Sequence, residues 1–361
     1  MDFGLSDEQL LLKETVRRFL AEQCPTSRVR AIMETETGHD AHLWGALAEL
    51  GLTGLQVSEA HGGAGLELLD VALAAEELGY AATPGPFLAH SMAIAALRAG
   101  GDSATASEWL PRLAAGTSIA ATALGEPGGV WQPEDMTARV EGGRLSGVKS
   151  IVPGAVVADC LVVAAQAEDG PGLFVVARDA AGVDVQPLSV VDMTRRADSV
   201  RFSQAPASPI GDAVAVQRAF DAGCIVIAAD AYGGARRALD MAVDYAKQRE
   251  QFGQIIGAFQ AVKHQLADCA TELEPALSLW WYAAHAYDHI QDHAERHAAL
   301  AKAHLADVFD RVVRVSTEIH GGIGFTWEFD LQLWFRRSVF DRSYLGEARF
   351  HRARAATMAG W

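Results

Sequence analysis

The sequence predicts a mainly α-helical chain with one β-domain in its middle. Two observations lead there. Apolar residues recur at helical spacing from Ser6 to about Gly100 and again from about Gly211 onward. Between about Ser118 and Pro209 the texture changes to short β-branched runs separated by glycine and proline turn signals. A chain of 361 residues, half of them hydrophobic, has enough apolar surface for two or three packed layers around a large core.

The first helix begins at Ser6, which makes a capping-box signature with Gln9, and Leu10, Leu11, Leu12, Val16, Phe19 and Leu20 supply its apolar face. A second helix, around Leu43 to Leu50, ends at Gly51. After the glycine-rich turn His61 to Gly65, a third runs from Leu66 to Leu78 and stops at Gly79. The β-branched runs Ser150 to Val152, Cys160 to Ala164 and Leu173 to Ala177 are expected strands. Gly142-Gly143, Pro153-Gly154 and Gly170-Pro171-Gly172 are the expected turns between them. Long helices return over Val214 to Gln248, Ala261 to His297 and Ala298 to His320, with breaks near Phe252-Gly253 and Gly321 to Gly324. The expected domains are 1–117 (helical), 118–210 (β) and 211–361 (helical bundle).

Lys and Arg number 30 against 46 Asp and Glu, a formal net charge of -16, so the chain as a whole repels phosphate backbones and anionic lipid and is not expected to bind nucleic acid or a membrane. The excess does not exclude a nucleotide, because basic groups and helix N-termini bind phosphates locally. Cys24, Cys160, Cys224 and Cys269 form no Cys-x-x-Cys pair, which argues against a disulfide framework or a structural zinc. The opening residues lack a basic start followed by an apolar run, and no apolar stretch reaches spanning length. The expected compartment is the cytoplasm.

Two segments carry chemistry. In Arg249-Glu250-Gln251-Phe252-Gly253-Gln254-Ile255-Ile256-Gly257-Ala258-Phe259-Gln260, the Arg offers a fork for a pyrophosphate, the Phe a flat face for a ring, and Gln260 a donor and an acceptor. A simple joint between helices, with Phe252 in the core and Arg249 at a helix C-terminus, explains the same residues. In Glu318-Ile319-His320-Gly321-Gly322-Ile323-Gly324-Phe325, glycines let a backbone approach a phosphate or ring closely; a glycine C-cap followed by a turn is the alternative.

Together these segments resemble the C-terminal domain of acyl-CoA dehydrogenases. The resemblance extends through Leu5-Ser6-Asp7-Glu8-Gln9, Glu59-Ala60-His61-Gly62-Gly63-Ala64-Gly65, Glu76-Glu77-Leu78-Gly79, Gly125-Glu126-Pro127-Gly128, Gly147-Val148-Lys149 and Gly233-Gly234-Ala235-Arg236-Arg237. It implies an N-terminal helical domain, a middle β-barrel and a C-terminal four-helix bundle, assembled as a tetramer in which one subunit's C-terminal helices complete the FAD site of its neighbour. It also implies α,β-dehydrogenation of an acyl-CoA thioester, with electrons passing to an electron-transfer flavoprotein. By the same resemblance Arg249, Phe252, Gln260, Glu318, Ile319, His320, Gly321 and Gly322 hold FAD, and Asp221 faces the CoA moiety of the substrate.

The family pattern fails at the base. Counting from Glu328-Phe329 places the family's usual catalytic Glu at Leu345, and the alternative Glu falls at Gly223, with the substrate-contacting Arg beside it at Cys224. Glu347, two residues on, and Asp221, two residues before the other site, are the candidate substitute bases, with Glu347 preferred; its other reading is a helix-end carboxylate paired with Arg349 or Arg352. The Trp and Thr that flank the flavin in the family are replaced by Ile151 and Pro153. Some bacterial members resembling steroid side-chain enzymes are α2β2 heterotetramers, so three functions are open: a dehydrogenase acting alone or in a mixed tetramer, a catalytically silent partner completing the FAD site of a paralogous chain, and an acyl-CoA oxidase. Finally, His285, His289, His293 and His297 recur at i,i+4 spacing with His304 beyond; interleaved with Asp288, Asp292 and Glu295 they read as a solvated stripe, and no metal is expected.

Overall fold

The computed structural model describes residues 4–101 and 103–361. Helix α1 (Asp7–Gln23) opens on the expected capping box, with the Gln9 N–H donating to Ser6 Oγ at 3.2 Å and the Ser6 N–H to Gln9 Oε1 at 3.1 Å. Val16 and Leu20 face the core, but Leu10 and Leu11 do not: they are 53% and 63% exposed. After α2 (Thr26–Met33), helix α3 (Ala41–Glu49) is capped by the Asp40 carboxylate and ends at Gly51, φ 78°. Helix α4 (Leu68–Tyr80) runs through Gly79 instead of stopping there. A Cβ at Gly79 would lie 2.1 Å from the Asp230 carbonyl oxygen, so this glycine marks a crossing of two helices and not a cap. Helices α5 (Phe87–Ala99) and α6 (Ala104–Ala114) complete the first helical layer.

The middle segment holds β1 (Ala120–Ala123), β2 (Arg139–Glu141), β3 (Arg144–Pro153), β4 (Cys160–Ala167), β5 (Gly170–Ala177), β6 (Val183–Pro187), β7 (Ala197–Pro206) and β8 (Ser208–Gly211). They form one sheet in the order β6-β7-β3-β2-β4-β5-β8, with β1 pairing β4. The ends of that order do not pair, so the expected barrel is an open sheet. Gly142-Gly143, φ 54° and 73°, make the tight turn between β2 and β3. Gly170-Pro171-Gly172 lie inside β5, paired with Ala167, Gln166 and Ala165; the turn sits at Glu168-Asp169 instead. Between Lys149↔Val200 and Val152↔Asp198, β3 advances one residue more than β7, and Ile151 occupies this bulge at φ 54°, a conformation costly for a β-branched residue. Beneath the bulge, the buried Glu126 carboxylate accepts from Thr137, Ala138 and the Lys149 ammonium, at 2.6 to 3.0 Å.

The last segment is built on α7 (Ala213–Gln248), followed by the short hairpin β9 (Glu250–Gln251) and β10 (Gln254–Ile255), then α8 (Gln260–His289), α9 (Gln291–His320), α10 (Leu331–Ser343) and α11 (Ala348–Met358). The break between α8 and α9 falls at Ile290, φ −135° and ψ 73°, and not at His297. The histidine stripe is thereby divided: His285 and His289 end α8, while His293, His297 and His304 lie on α9, and the expected single face does not exist. No described helix is long and apolar enough to cross a membrane. All four cysteines are buried and free.

Candidate functional site

The proposed site residues collect at two places. The first is the end of the bundle where α7 and α9 finish and α8 begins. Arg249 is the exposed C-cap residue of α7. Phe252 and Gly253 form the two-residue tip of the β9–β10 hairpin at φ 54° and 79°, with Phe252 93% exposed. The core role considered for this aromatic is therefore excluded. Gln260 opens α8, whose N-terminus carries no side-chain cap. The orphan N–H groups there and the Arg249 guanidinium together favour an anion.

Glu318, Ile319 and His320 form the last turn of α9. Glu318 is exposed and Ile319 half-buried, but the His320 ring turns inward, packing at 4.4 Å on Tyr245 and 4.7 Å on Phe329, with Nδ1 held by the Ser316 carbonyl and Nε2 unpartnered among the described residues. Burial lowers its pKa below the usual histidine value. Because the Arg249 N–H bonds to the Tyr245 carbonyl at 2.8 Å, the Tyr245–His320 contact ties the two motifs into one face. Gly321 adopts φ 63° and ψ −142°, a region open essentially to glycine alone, and neither Gly321 nor Gly322 has a neighbour within 4 Å of an added Cβ. Gly324 differs, lying 2.8 Å from the Thr317 carbonyl by the same measure. Only two of the three glycines face open space.

The second place lies at the other end of α7. Glu347 is the exposed N-cap residue of α11 and lines a cavity of about 760 Å³ with Gly128, Gly129, Trp131, Ile151 and Phe350. Its carboxylate has no hydrogen bond or ion pair among the described residues; Arg352 pairs with Asp307 at 2.5 Å instead. Asp221 is buried, accepting from Gln217 at 2.9 Å and Arg354 at 3.3 Å. Burial pushes its pKa up to about 7 against the pull of the Arg354 charge. It stands behind Phe220 and Arg354, which with Gln217, Trp131 and Phe350 line an adjoining cavity of about 360 Å³.

The two usual base positions converge here on an apolar knot. Leu345 is fully buried at φ 60°. A Cβ on Gly223 would lie 2.7 Å from Leu345 Cδ1 and 2.6 Å from Met92 Cε, so no side chain fits there without displacement. Tyr344 stacks on Phe340 at 5.1 Å and takes the Trp131 indole edge-on at 5.5 Å. The strap carrying Leu345 is fixed from both sides: His351 Nε2 pairs with the Leu345 carbonyl at 2.9 Å, and the buried Lys302 ammonium donates to Gly346, Asp341 and Arg342 carbonyls. Sequence reasoning missed Trp131, Lys302, His351 and Arg354, whose contacts join segments far apart in the chain and leave no local pattern.

Asp221 and Arg249 are separated along one continuous helix by about 40 Å, at ~1.5 Å per residue. Residues 211–359 match the model for the acyl-CoA dehydrogenase C-terminal domain, and residues 6–117 the model for the N-terminal domain. The chain belongs to the acyl-CoA dehydrogenase family. This family comprises flavoprotein oxidoreductases. A relative, acyl-CoA dehydrogenase IpdE2 of Mycolicibacterium smegmatis, is 34% identical over 346 residues, covering 96% of each chain. Among solved structures, the steroid ACAD Tcur3481-Tcur3483 superposes with a TM-score of 0.92 at 32% identity, covering 98% of both chains. The ChsE4-ChsE5 complex of Mycobacterium tuberculosis gives 0.92 at 26% identity, covering 100% of this chain and 99% of that one.

Proposed function

We propose that this chain is the supporting subunit of a mixed acyl-CoA dehydrogenase assembly: it lends the face built from Arg249, Phe252, Gln260 and Glu318 to Gly322 to the FAD of a paralogous chain and carries no working base of its own. The observation that carries this reading is the apolar knot, in which Leu345 and Gly223 leave no carboxylate at either family position and Met92 and Leu345 crowd the space beside Gly223. The two-chain names of the Tcur3481-Tcur3483 and ChsE4-ChsE5 relatives are in keeping with it.

The residues present fit FAD unequally. The lent face offers a guanidinium, an uncapped helix N-terminus and two uncrowded glycines, a donor set suited to a pyrophosphate. The cavity at Ile151 sets that aliphatic side chain and the acidic Glu347 beside Ser343 and Arg349, a mixed set with less to offer the polar edge of a flavin ring than the Trp and Thr implied by the family resemblance. When bound, FAD supplies the hydride acceptor for α,β-dehydrogenation of an acyl-CoA, with electrons going on to an electron-transfer flavoprotein. This chain's part is to bind and orient: Arg249 and the α8 N-terminus neutralise phosphate charge, Phe252 stacks on a ring, and Gly321 and Gly322 allow close backbone approach.

The test is the visible spectrum of the chain purified alone and purified together with its paralogous partner. The reading expects a colourless chain alone and a yellow mixed complex with one flavin for every two chains. A flavin band in the isolated chain that bleaches with acyl-CoA overturns it and favours a second reading, with Glu347 as the base. That alternative rests on the unpaired Glu347 carboxylate at the 760 Å³ cavity, and Glu347→Gln would then abolish the bleaching.

A further inference from the structure

The junction of the three segments is held by charges that no part of the proposed function uses. Arg337 on α10 is fully buried and donates to the Thr83 carbonyl at 2.7 Å and Thr194 Oγ1 at 2.9 Å, joining the N-terminal helices to the β6–β7 connection. Its guanidinium also lies 3.6 Å from Asp192 and from Asp230, the latter on α7. Arg195 pairs with Asp230 at 2.5 Å and approaches Asp341 at 3.9 Å. All five side chains are at most 8% exposed.

Three carboxylates therefore face two guanidinium groups. The other buried cation nearby, Lys302 on α9, directs its hydrogen bonds to the carbonyls of Asp341, Arg342 and Gly346 and to no carboxylate. Among the described residues neither oxygen of Asp341 accepts a hydrogen bond, nor does Asp230 Oδ2, although both carboxyl groups are gathered on the one Arg195 guanidinium. Two carboxylates cannot satisfy one another, since each only accepts; one proton between them turns two orphaned acceptors into a donor and an acceptor.

We propose that Asp230 and Asp341 hold one shared proton in the folded chain, so that the joint between the N-terminal helices, the sheet and the C-terminal bundle is a lock of three Asp, two Arg and a proton. In agreement, burial first, and the Asp230 charge second, raise the Asp341 pKa well above the ordinary carboxyl value, outweighing Arg195 and Arg337. A raised folded-state pKa means that the proton's contribution is complete below the unfolded value, near 3.8, and is lost as pH rises through the folded one.

Infrared spectroscopy of the full chain at neutral pH tests this directly, with Asp341→Asn as the reference. The expected result is a protonated-carboxyl band in the wild-type-minus-D341N difference spectrum, above the Asp221 signal that both proteins share; the absence of that difference band overturns the proposal. Thermal unfolding supplies an independent check. D341N, which keeps the hydrogen bond and cannot deprotonate, should match or exceed the wild type, with its advantage growing as pH rises, whereas Asp341→Ala should unfold at least about 4 °C lower. Equal losses in D341N and D341A would mean that the folded state needs an ionised Asp341, and the shared proton would be disproved.

Discussion

Phe252 is held at φ 54° with almost its whole ring in solvent, a placement that stability of the isolated chain does not explain. A left-handed backbone costs a non-glycine residue about 1 kcal/mol, and an exposed ring returns little of it. Phe252→Gly is therefore expected to stabilise the chain alone by ~1 kcal/mol in denaturant titration, while lowering the flavin content of the mixed complex. Loss of both stability and flavin would instead make Phe252 a structural residue of the hairpin. Residues of this kind were legible in the sequence because the Arg-x-x-Phe-Gly spacing is local. Asp221 was legible only as a position: its burial behind Phe220 and its clamp by Arg354 depend on a helix more than a hundred residues away. Glu347 was named for its closeness to the vacant base position, yet the strap turns at Leu345 and Gly346, both at positive φ, to set it at a cavity mouth.

Among the elements, those with local signals were readable and those set by tertiary packing were not. The Ser6–Gln9 box and the Gly142-Gly143 hairpin formed as expected because each satisfies its own hydrogen bonds within a few residues. Gly79 was misread because a glycine that ends a helix and one that lets two helices touch look the same in one dimension. Gly79→Ala should cost ~3 kcal/mol, read as a shifted denaturation midpoint, since the added carbon meets the Asp230 backbone. The break at Ile290 has no glycine or proline to announce it, while Pro275 lies inside α8. In the sheet, burial alone would raise the Glu126 pKa, but Thr137, Lys149 and the Ala138 N–H outweigh it and hold it near 2. A depressed carboxyl pKa stabilises above the unfolded value, near 4.5, and that stabilisation is lost as pH falls toward 2. Glu126→Gln should thus be less stable than the wild type at neutral pH and converge with it in acid, as thermal melts across this range would reveal.

For the whole molecule, the distance between the two clusters matters more than either cluster. A ligand cannot bridge about 40 Å of one helix, so a flavin touched by Arg249 lies far from this chain's own Glu347. Two substitutions should then separate cleanly in the mixed complex. Arg249→Ala should lower flavin content and, with it, dehydrogenase activity, whereas Glu347→Gln should leave both unchanged. Activity lost with E347Q would return the chain to the catalytic role. The overall order of helices, strands and helices was plain from hydrophobic periodicity, because periodicity reports what each segment buries. The open sheet was not, because closure depends on whether β6 and β8 meet, and no residue in either strand encodes that.

The unbroken length of α7 has a consequence for how this chain can vary. Its 36 residues carry Asp221 near one end and lead into Arg249 at the other, with Gly233 pressed against the Glu76 carbonyl between them. One inserted residue anywhere along it would turn everything beyond by about 100° and advance it by ~1.5 Å. The face proposed to meet a neighbour would then point elsewhere while every local contact at its tip stayed intact. α7 thus behaves as a gauge whose phase is fixed: substitutions can drift along it, but under the proposed assembly its residue count cannot change unless the adjoining chain changes in step.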